Sequence, residues 1–110
     1  MPFGDSLDKR VLFYDVIGRP YNPQADHVAC GNAGSNPIVA VSPGLYGSGI
    51  RCNQGIIVMN PKTEDAAYAR ILDECQGCGY FDLNLSNGVF TQIGGTGADT
   101  MEIKWYYVDW

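Results

Sequence analysis

The sequence predicts a mainly β protein that folds as a single domain, and three observations lead to this class. The chain has 110 residues, a length that usually makes one domain. Its apolar residues fall in about five or six short runs, each bounded by turn residues, and none continues at helical spacing for long. Fourteen glycines and six prolines follow no period, which suits the many turns of a sandwich or barrel.

Five segments have the composition of strands. Residues 10–16 are rich in β-branched and aromatic side chains, and residues 17–37 are expected to form a long loop after them. Two short apolar runs follow at 38–41 and 56–59, and 66–72 returns from a polar turn as a hairpin partner. Residues 101–108 alternate, which predicts one buried face made of Met101, Ile103, Trp105 and Tyr107.

Two short helices are predicted from their first residues. Ser42 followed by Pro43 has the pattern of an N-cap and a first helical position. Ser86 is placed to cap a second helix, in which Val89, Phe90 and Ile93 fall on one face.

Charge and hydropathy exclude two classes of partner. Seven Lys and Arg residues are scattered among twelve acids, for a net charge of −5. Since nucleic acid is held largely through Lys and Arg, it is not an expected partner. No apolar run approaches the roughly 18 residues of a membrane span, so a membrane is not expected either. The domain is expected to span residues 1–110, with 1–9 as an N-terminal extension.

Four cysteines, Cys30, Cys52, Cys75 and Cys78, admit three pairings into two disulfides. A zinc site would use two closely spaced pairs, and only Cys75-x-x-Cys78 has that spacing. A thioredoxin-like redox site would need a βαβ unit around the Cys-x-x-Cys. Two structural disulfides are therefore favoured, which predicts an oxidising compartment and a secreted protein.

An ordered set of motifs resembles the double-psi β-barrel of expansins, barwin, rare lipoprotein A and small fungal loosenin-like proteins. The set runs through Phe13-Tyr14-Asp15, Ala29-Cys30-Gly31, the 38–43 segment, Asp73-Glu74-Cys75, Gly77-Cys78-Gly79 and Leu85-Ser86. The resemblance implies a six-stranded barrel with one or two short helices. It also implies the disulfides Cys30–Cys52 and Cys75–Cys78.

The same resemblance places a polar carbohydrate-binding groove. Asp73 matches the family's first groove aspartate, Asn84 stands at the position of a general acid, and Leu12 stands at the position of a groove threonine. An amide cannot deliver a proton to a leaving oxygen. Asp82 is shifted from Asn84 by roughly 7 Å along an extended chain, too far for a general acid. The chain is therefore expected to be non-catalytic.

Several of these residues have a second interpretation. Asp73 precedes a tight cysteine turn, so its carboxylate could instead accept backbone N–H bonds as in an Asx-turn. Among the aromatic residues, Tyr80, Tyr14 and Tyr106 are expected to be exposed and to contact sugar, whereas Trp105 and Tyr107 belong to the core. His27, the one histidine, is expected to be solvated, and no metal or cofactor is expected.

The leading functional prediction is a secreted, monomeric, non-hydrolytic protein that binds or loosens cell-wall polysaccharide, such as cellulose, β-glucan or chitin. The alternative is an inhibitor of papain-like cysteine proteases that would use the loops at 18–36 or 94–100. A third possibility is a weak endoglucanase that uses Asp73 and Asp82.

Overall fold

The computed structural model describes residues 11–108, so the predicted extension at 1–9 and Arg10 lie outside the described residues. Six strands form a closed barrel in the order β1-β5-β2-β4-β3-β6. They are β1 (Phe13–Tyr21), β2 (Ile38–Val41), β3 (Gly55–Met59), β4 (Ala66–Glu74), β5 (Leu83–Ser86) and β6 (Met101–Tyr107). Two short helices occur in this part of the chain, α1 (Pro43–Tyr46) and α2 (Asn87–Gln92). The mainly β class and the six-stranded barrel are confirmed.

Strand directions are mixed. β1 runs parallel to β5, and β2 runs parallel to β4. The other four neighbouring pairs are antiparallel. None of the helices in residues 11–108 has the length and hydropathy of a membrane span.

Alternating side chains fill the barrel. Trp105 and Ile103 of β6 are fully buried, with Leu83 and Leu85 of β5 and Ile71 of β4 beside them in one cluster. The indole N–H of Trp105 donates to the carbonyl of Phe81 over 3.0 Å, so its polar atom is satisfied inside the core. Met101 and Tyr107 pack against the same cluster, which confirms the predicted inward face of the last strand.

The first strand is longer than predicted. The predicted strand ended at Val16, but β1 continues to Tyr21, and only residues 22–37 form the following loop. Gly18 explains the extension, because a Cβ at this position would lie 3.0 Å from Leu85 and 3.2 Å from Ile103. Glycine weakens strand propensity, yet here its lack of a side chain lets β1 pass over a filled core.

Both predicted helices are present. The Ser42 hydroxyl accepts from the Leu45 N–H over 3.3 Å, and Pro43 is the first helical residue. In α2 the residues Val89 and Phe90 are buried as predicted. Ser86 occupies the N-cap position, but its hydroxyl makes no capping bond and instead accepts from Ile38 N–H over 3.4 Å. The capping role predicted for Ser86 is therefore wrong, because β2 takes its hydroxyl.

Two disulfides are present, Cys30–Cys52 and Cys75–Cys78, with Cα–Cα distances of 5.7 and 5.5 Å. These are the pairs that the resemblance implies. The first bond holds the 22–37 loop, which lies against the outside of the barrel. Val28 and Ala33 of that loop form a second buried cluster with Ile38 of β2 and Leu72 of β4.

Candidate functional site

A row of residues crosses four strands on the outside of the barrel. Arg19 of β1 lies opposite Asn84 of β5, Asn84 lies opposite Ala40 of β2, and Ala40 lies opposite Asp73 of β4. Asn84 faces outward because its neighbours Leu83 and Leu85 are fully buried in the core. With neighbouring strands about 4.8 Å apart, the row spans about 14 Å.

A shift in strand register brings Asp73 to this outer face. Val39 pairs with Ile71, but the next residue, Ala40, pairs with Asp73, so β4 carries Leu72 as an extra residue. Strict alternation after the buried Ile71 would point Leu72 outward and Asp73 into the core. The extra residue lets both face outward, as a bulge does when it redirects a side chain beside a site.

A pocket of about 350 Å³ adjoins the row. Its wall comes from the end of β1, the end of β4, the middle of β5 and the whole cysteine turn. The lining residues are Arg19, Tyr21, Glu74, Cys75, Gln76, Gly77, Cys78 and Asn84. The Cys75–Cys78 disulfide is thus part of the pocket wall, and Asn84 Oδ1 lies 3.8 Å from Cys78 Sγ.

Asp73 is not among the pocket-lining residues, and both of its carboxylate oxygens accept internal hydrogen bonds. One carboxylate oxygen accepts from the Tyr21 hydroxyl and the other from the Ala29 N–H, both over 2.9 Å. The predicted Asx-turn is therefore wrong in detail: the backbone donor belongs to the 22–37 loop, not to the cysteine turn. Burial, followed by the adjacent Asp73 carboxylate, raises the pKa of Tyr21 above its usual value.

Asp82 is also held by the protein. Its Oδ1 accepts from the Ile17 N–H over 2.9 Å, and its Oδ2 lies 3.9 Å from an Arg19 guanidinium nitrogen. Arg19 in turn is the strand neighbour of Asn84. Asp82 therefore stands beside the pocket and positions Arg19, which remains 45% exposed.

Glu74 is the one carboxylate among the pocket-lining residues given above. It is half-buried, and neither a side-chain hydrogen bond nor an ion pair joins it to another residue within 11–108. Sequence reasoning missed Glu74, Gln76, Arg19 and Tyr21 as site residues. Arg19 and Tyr21 could have been found only by continuing the alternation of β1 through Gly18. Ile17, Arg19 and Tyr21 then fall on the same face of the strand.

Tyr80 is 56% exposed, as predicted, but it lies outside the pocket lining. Its ring covers Gly44 of α1, where a Cβ would come within 2.4 Å of the ring. Its edge meets Phe81 with ring centroids 4.8 Å apart, and Phe81 stacks on Phe13 at 4.4 Å. Tyr80 is thus the exposed member of an aromatic cluster that includes Trp105 and Tyr107.

The remaining predicted site residues are not brought to the pocket. Leu12 precedes β1 and is 39% exposed, whereas β1 reaches the pocket through Arg19 and Tyr21. Tyr14 is 63% exposed near the start of β1. Tyr106 is half-buried and pairs with Ile57 of β3, on the β3–β6 side of the barrel.

A metal centre has no obvious ligand set in the described chain. Within residues 11–108 no group of three or more His, Cys, Asp or Glu side chains is arranged to hold a metal ion. His27 is exposed and has Asp26 as its neighbour, with 3.8 Å between Nδ1 and a carboxylate oxygen.

Solved structures with a similar fold are known. Two are of an expansin from Clavibacter michiganensis, one as an aspartate-to-asparagine mutant in complex with cellohexaose and one without ligand. Both have a TM-score of 0.79, with 23% and 22% identity over 89% of this chain. The fold is the expansin-type double-psi β-barrel. This chain spans half the length of those expansin chains.

A Streptomyces papain inhibitor has the same barrel, with a TM-score of 0.74 and 18% identity. The match covers 89% of this chain and 94% of the inhibitor. No protein-family model matches this chain, and no curated protein sequence matches it significantly. The likeness therefore concerns the fold alone.

Proposed function

We propose that this protein binds a cell-wall polysaccharide in the pocket between β1, β5 and the cysteine turn, and that it does not hydrolyse the polymer. One observation carries the proposal: the polar row from Arg19 to Asp73 borders an open pocket on an expansin-type double-psi barrel. An expansin with this fold was solved in complex with cellohexaose.

The pocket offers the hydrogen-bonding groups that a sugar needs. Asn84 and Gln76 present amides that both donate and accept, Glu74 accepts, and Arg19 donates. Ligand sites commonly place a few such polar groups on a largely apolar wall, and here the disulfide and the Tyr21 ring supply that wall. Tyr80 extends the proposed surface beyond Cys78, whereas Tyr14 and Tyr106 would meet a polymer only outside the pocket.

The contacts of the acidic residues support binding without hydrolysis. Inverting hydrolysis needs a carboxylic acid and a carboxylate on opposite sides of the scissile bond. The position that the resemblance assigns to the acid is an amide, Asn84. Asp73 and Asp82 each accept a backbone N–H, and Asp82 also faces Arg19. A weak endoglucanase would release new reducing ends, and Asp82→Asn would abolish that release.

The compartment and assembly follow from the same proposal. Two disulfides in a small domain fit an oxidising, extracellular environment. The proposed protein is secreted, acts as a monomer and uses residues 1–110 as one domain.

Calorimetric titration with cellohexaose and with chito-oligosaccharides tests the proposal. Gln76→Ala should weaken binding by roughly threefold or more, because one hydrogen bond to ligand is lost. Gln24→Ala removes the same amide from an exposed side chain that does not line the pocket, and it is the matched control. Equal affinities for both variants and the original protein would place the site elsewhere, and no binding at millimolar concentration would reject the proposal.

A second candidate function is inhibition of a papain-like cysteine protease. The likeness to the Streptomyces papain inhibitor covers nearly all of that protein. Two loops are predicted for this role, and the 94–100 loop is largely exposed. In the 18–36 segment, residues 18–21 belong to β1, and Val28 and Ala33 are buried against the barrel. A different loop, 47–53, exposes 70% of Ile50.

The 47–53 loop is braced by internal hydrogen bonds and a disulfide, which suits an inhibitory loop because less order is lost on binding. Gly49 donates to the Tyr46 carbonyl over 3.0 Å and Cys52 donates to the Gly49 carbonyl over 3.1 Å. Cys52 is also bonded to Cys30. In a papain inhibition assay, Ile50→Ala should abolish inhibition if this loop enters the protease, while Gln76→Ala should leave inhibition intact.

A further inference from the structure

Carboxylates outnumber cations in and beside the pocket. Arg19 and Glu74 both line the pocket, while Asp73 and Asp82 stand beside it. Asp82 lies 3.9 Å from Arg19 and so offsets its charge, and Asp73 is hydrogen-bonded to the Tyr21 hydroxyl. Glu74 is left as a half-buried carboxylate in the wall with no cationic partner within residues 11–108.

We infer that Glu74 makes this pocket selective for a cationic amino sugar, so that the preferred polymer is a β-1,4-linked glucosamine chain. This inference rests on the proposed polysaccharide function and names the class of sugar. A protonated amine donates up to three hydrogen bonds and would form a charge-assisted one with Glu74. The side-chain oxygens of Asn84 and Gln76 are further acceptors on the same wall.

Other sugar classes fit these charges less well. A neutral glucan offers Glu74 only hydroxyl groups, whose hydrogen bonds are not strengthened by a second charge. A uronic acid polymer would bring carboxylates toward a wall that already holds Glu74, and within residues 11–108 Arg19 is the single cation in that lining. The protein's net charge of −5 also attracts a polycation and repels a polyanion at long range.

Three hexasaccharides separate these classes, because they share a β-1,4 linkage and differ at the 2-position: glucosamine hexamer, N-acetylglucosamine hexamer and cellohexaose. Calorimetric titration at low salt, at a pH where the free amine is protonated, should give the tightest binding with the glucosamine hexamer. Raising the salt concentration should weaken that binding and leave cellohexaose binding almost unchanged, because salt screens charge pairs.

Glu74→Gln is the decisive variant, since it keeps the shape and removes the charge. It should weaken glucosamine hexamer binding about tenfold, the worth of one hydrogen bond to a charged group, and should weaken cellohexaose binding by a clearly smaller factor, because a hydroxyl loses no charge pair. Glu102→Gln is the matched control, because Glu102 is exposed on β6 outside the pocket lining. A urea unfolding curve for each variant checks that the fold is kept.

Two results would overturn the inference while leaving the proposed function in place. One is glucosamine hexamer binding that is no tighter than cellohexaose binding. The other is an equal loss of affinity for Glu74→Gln and Glu102→Gln, which would indicate general charge attraction. If none of the three hexamers binds, the proposed function fails and the inference fails with it.

Discussion

Asp73 shows how one carboxylate can shape a pocket without entering it. Its two oxygens hold the Tyr21 hydroxyl and the Ala29 N–H, each at 2.9 Å. These bonds join the ends of β1 and β4 to the 22–37 loop. Tyr21 lines the pocket directly, so Asp73 acts on the site by positioning that ring.

The contact between Tyr21 and Asp73 predicts a pH dependence of stability. The pKa of Tyr21 is raised in the folded protein by burial and by Asp73, while an unfolded tyrosine titrates near about 10. Above that pH the unfolded chain releases the proton and the folded chain keeps it, so the free energy of unfolding falls as the pH rises. Urea unfolding between about pH 9 and pH 11 should therefore show a shallower fall for Tyr21→Phe.

Part of the alkaline fall should persist in Tyr21→Phe. Burial also raises the pKa of Tyr107, although the Arg51 guanidinium above its ring, 4.5 Å from the centroid, works in the opposite direction. A fall that is identical in the variant and the original protein would show that folding does not raise the pKa of Tyr21.

Gly44 allows the role of Tyr80 to be tested without removing its ring. A Cβ at Gly44 would come within 2.4 Å of that ring, so Gly44→Ala must displace it. Because Tyr80 is exposed and can move, we expect the free energy of unfolding to change by less than about 1 kcal/mol. If Tyr80 contacts polymer, binding to cellohexaose should weaken measurably in titration.

The matched control for Gly44→Ala is Gly88→Ala. Gly88 also lies in a short helix, and a Cβ there would meet nothing within 4 Å. Unchanged binding in both variants would remove Tyr80 from the proposed sugar surface.

At the scale of strands and turns, the limits of sequence reasoning have physical causes. β2, β3 and β6 were predictable because their apolar residues follow simple runs or alternation. The end of β1 was not, because Gly18 and Pro20 are poor strand formers, and only the core inside the barrel explains Gly18. The outward direction of Asp73 depends on the extra residue Leu72. Such a bulge cannot be predicted from the simple alternation of side chains along a strand.

The two disulfides should contribute differently to stability. Cys30–Cys52 closes a loop with a sequence separation of 22, and Cys75–Cys78 one of 3. Since a longer loop loses more unfolded-state entropy, removing the first bond should cost about 3 kcal/mol and removing the second less than about 2 kcal/mol. Urea unfolding of the two paired Cys→Ser variants measures both costs.

The loss of cellohexaose affinity should rank the same two disulfides in the opposite order. Cys75 and Cys78 line the pocket, so their paired variant should lose affinity for cellohexaose while it remains folded. Greater instability, with unchanged binding, in the Cys75/Cys78 variant would contradict both expectations.

At the scale of the whole molecule, the barrel and its disulfides followed from ordered motifs, but the pocket did not. The motif positions gave Asn84 a place in the site and identified Asp73, yet Glu74 and Arg19 become site residues only when β1, β4 and β5 are brought together. Ile50 was missed for a similar reason. Ile50 is a single isoleucine between turn residues, and nothing in the sequence indicates that its side chain is 70% exposed.

The pocket and the 47–53 loop are separate features of the barrel, so the two proposed functions can be tested independently. Gln76 and Glu74 report on the pocket, whereas Ile50 reports on the loop. A variant at one feature should leave the activity of the other unchanged.

The most direct test of the central claim is a pull-down on insoluble cellulose, β-glucan and chitin, with reducing-end analysis of the supernatant. The predicted result is binding to at least one polymer without new reducing ends, and with weaker binding by Gln76→Ala than by Gln24→Ala. New reducing ends, lost in Asp82→Asn, would contradict the claim by showing hydrolysis. Absence of binding to all three polymers would contradict it as well and would favour the protease-inhibitor function.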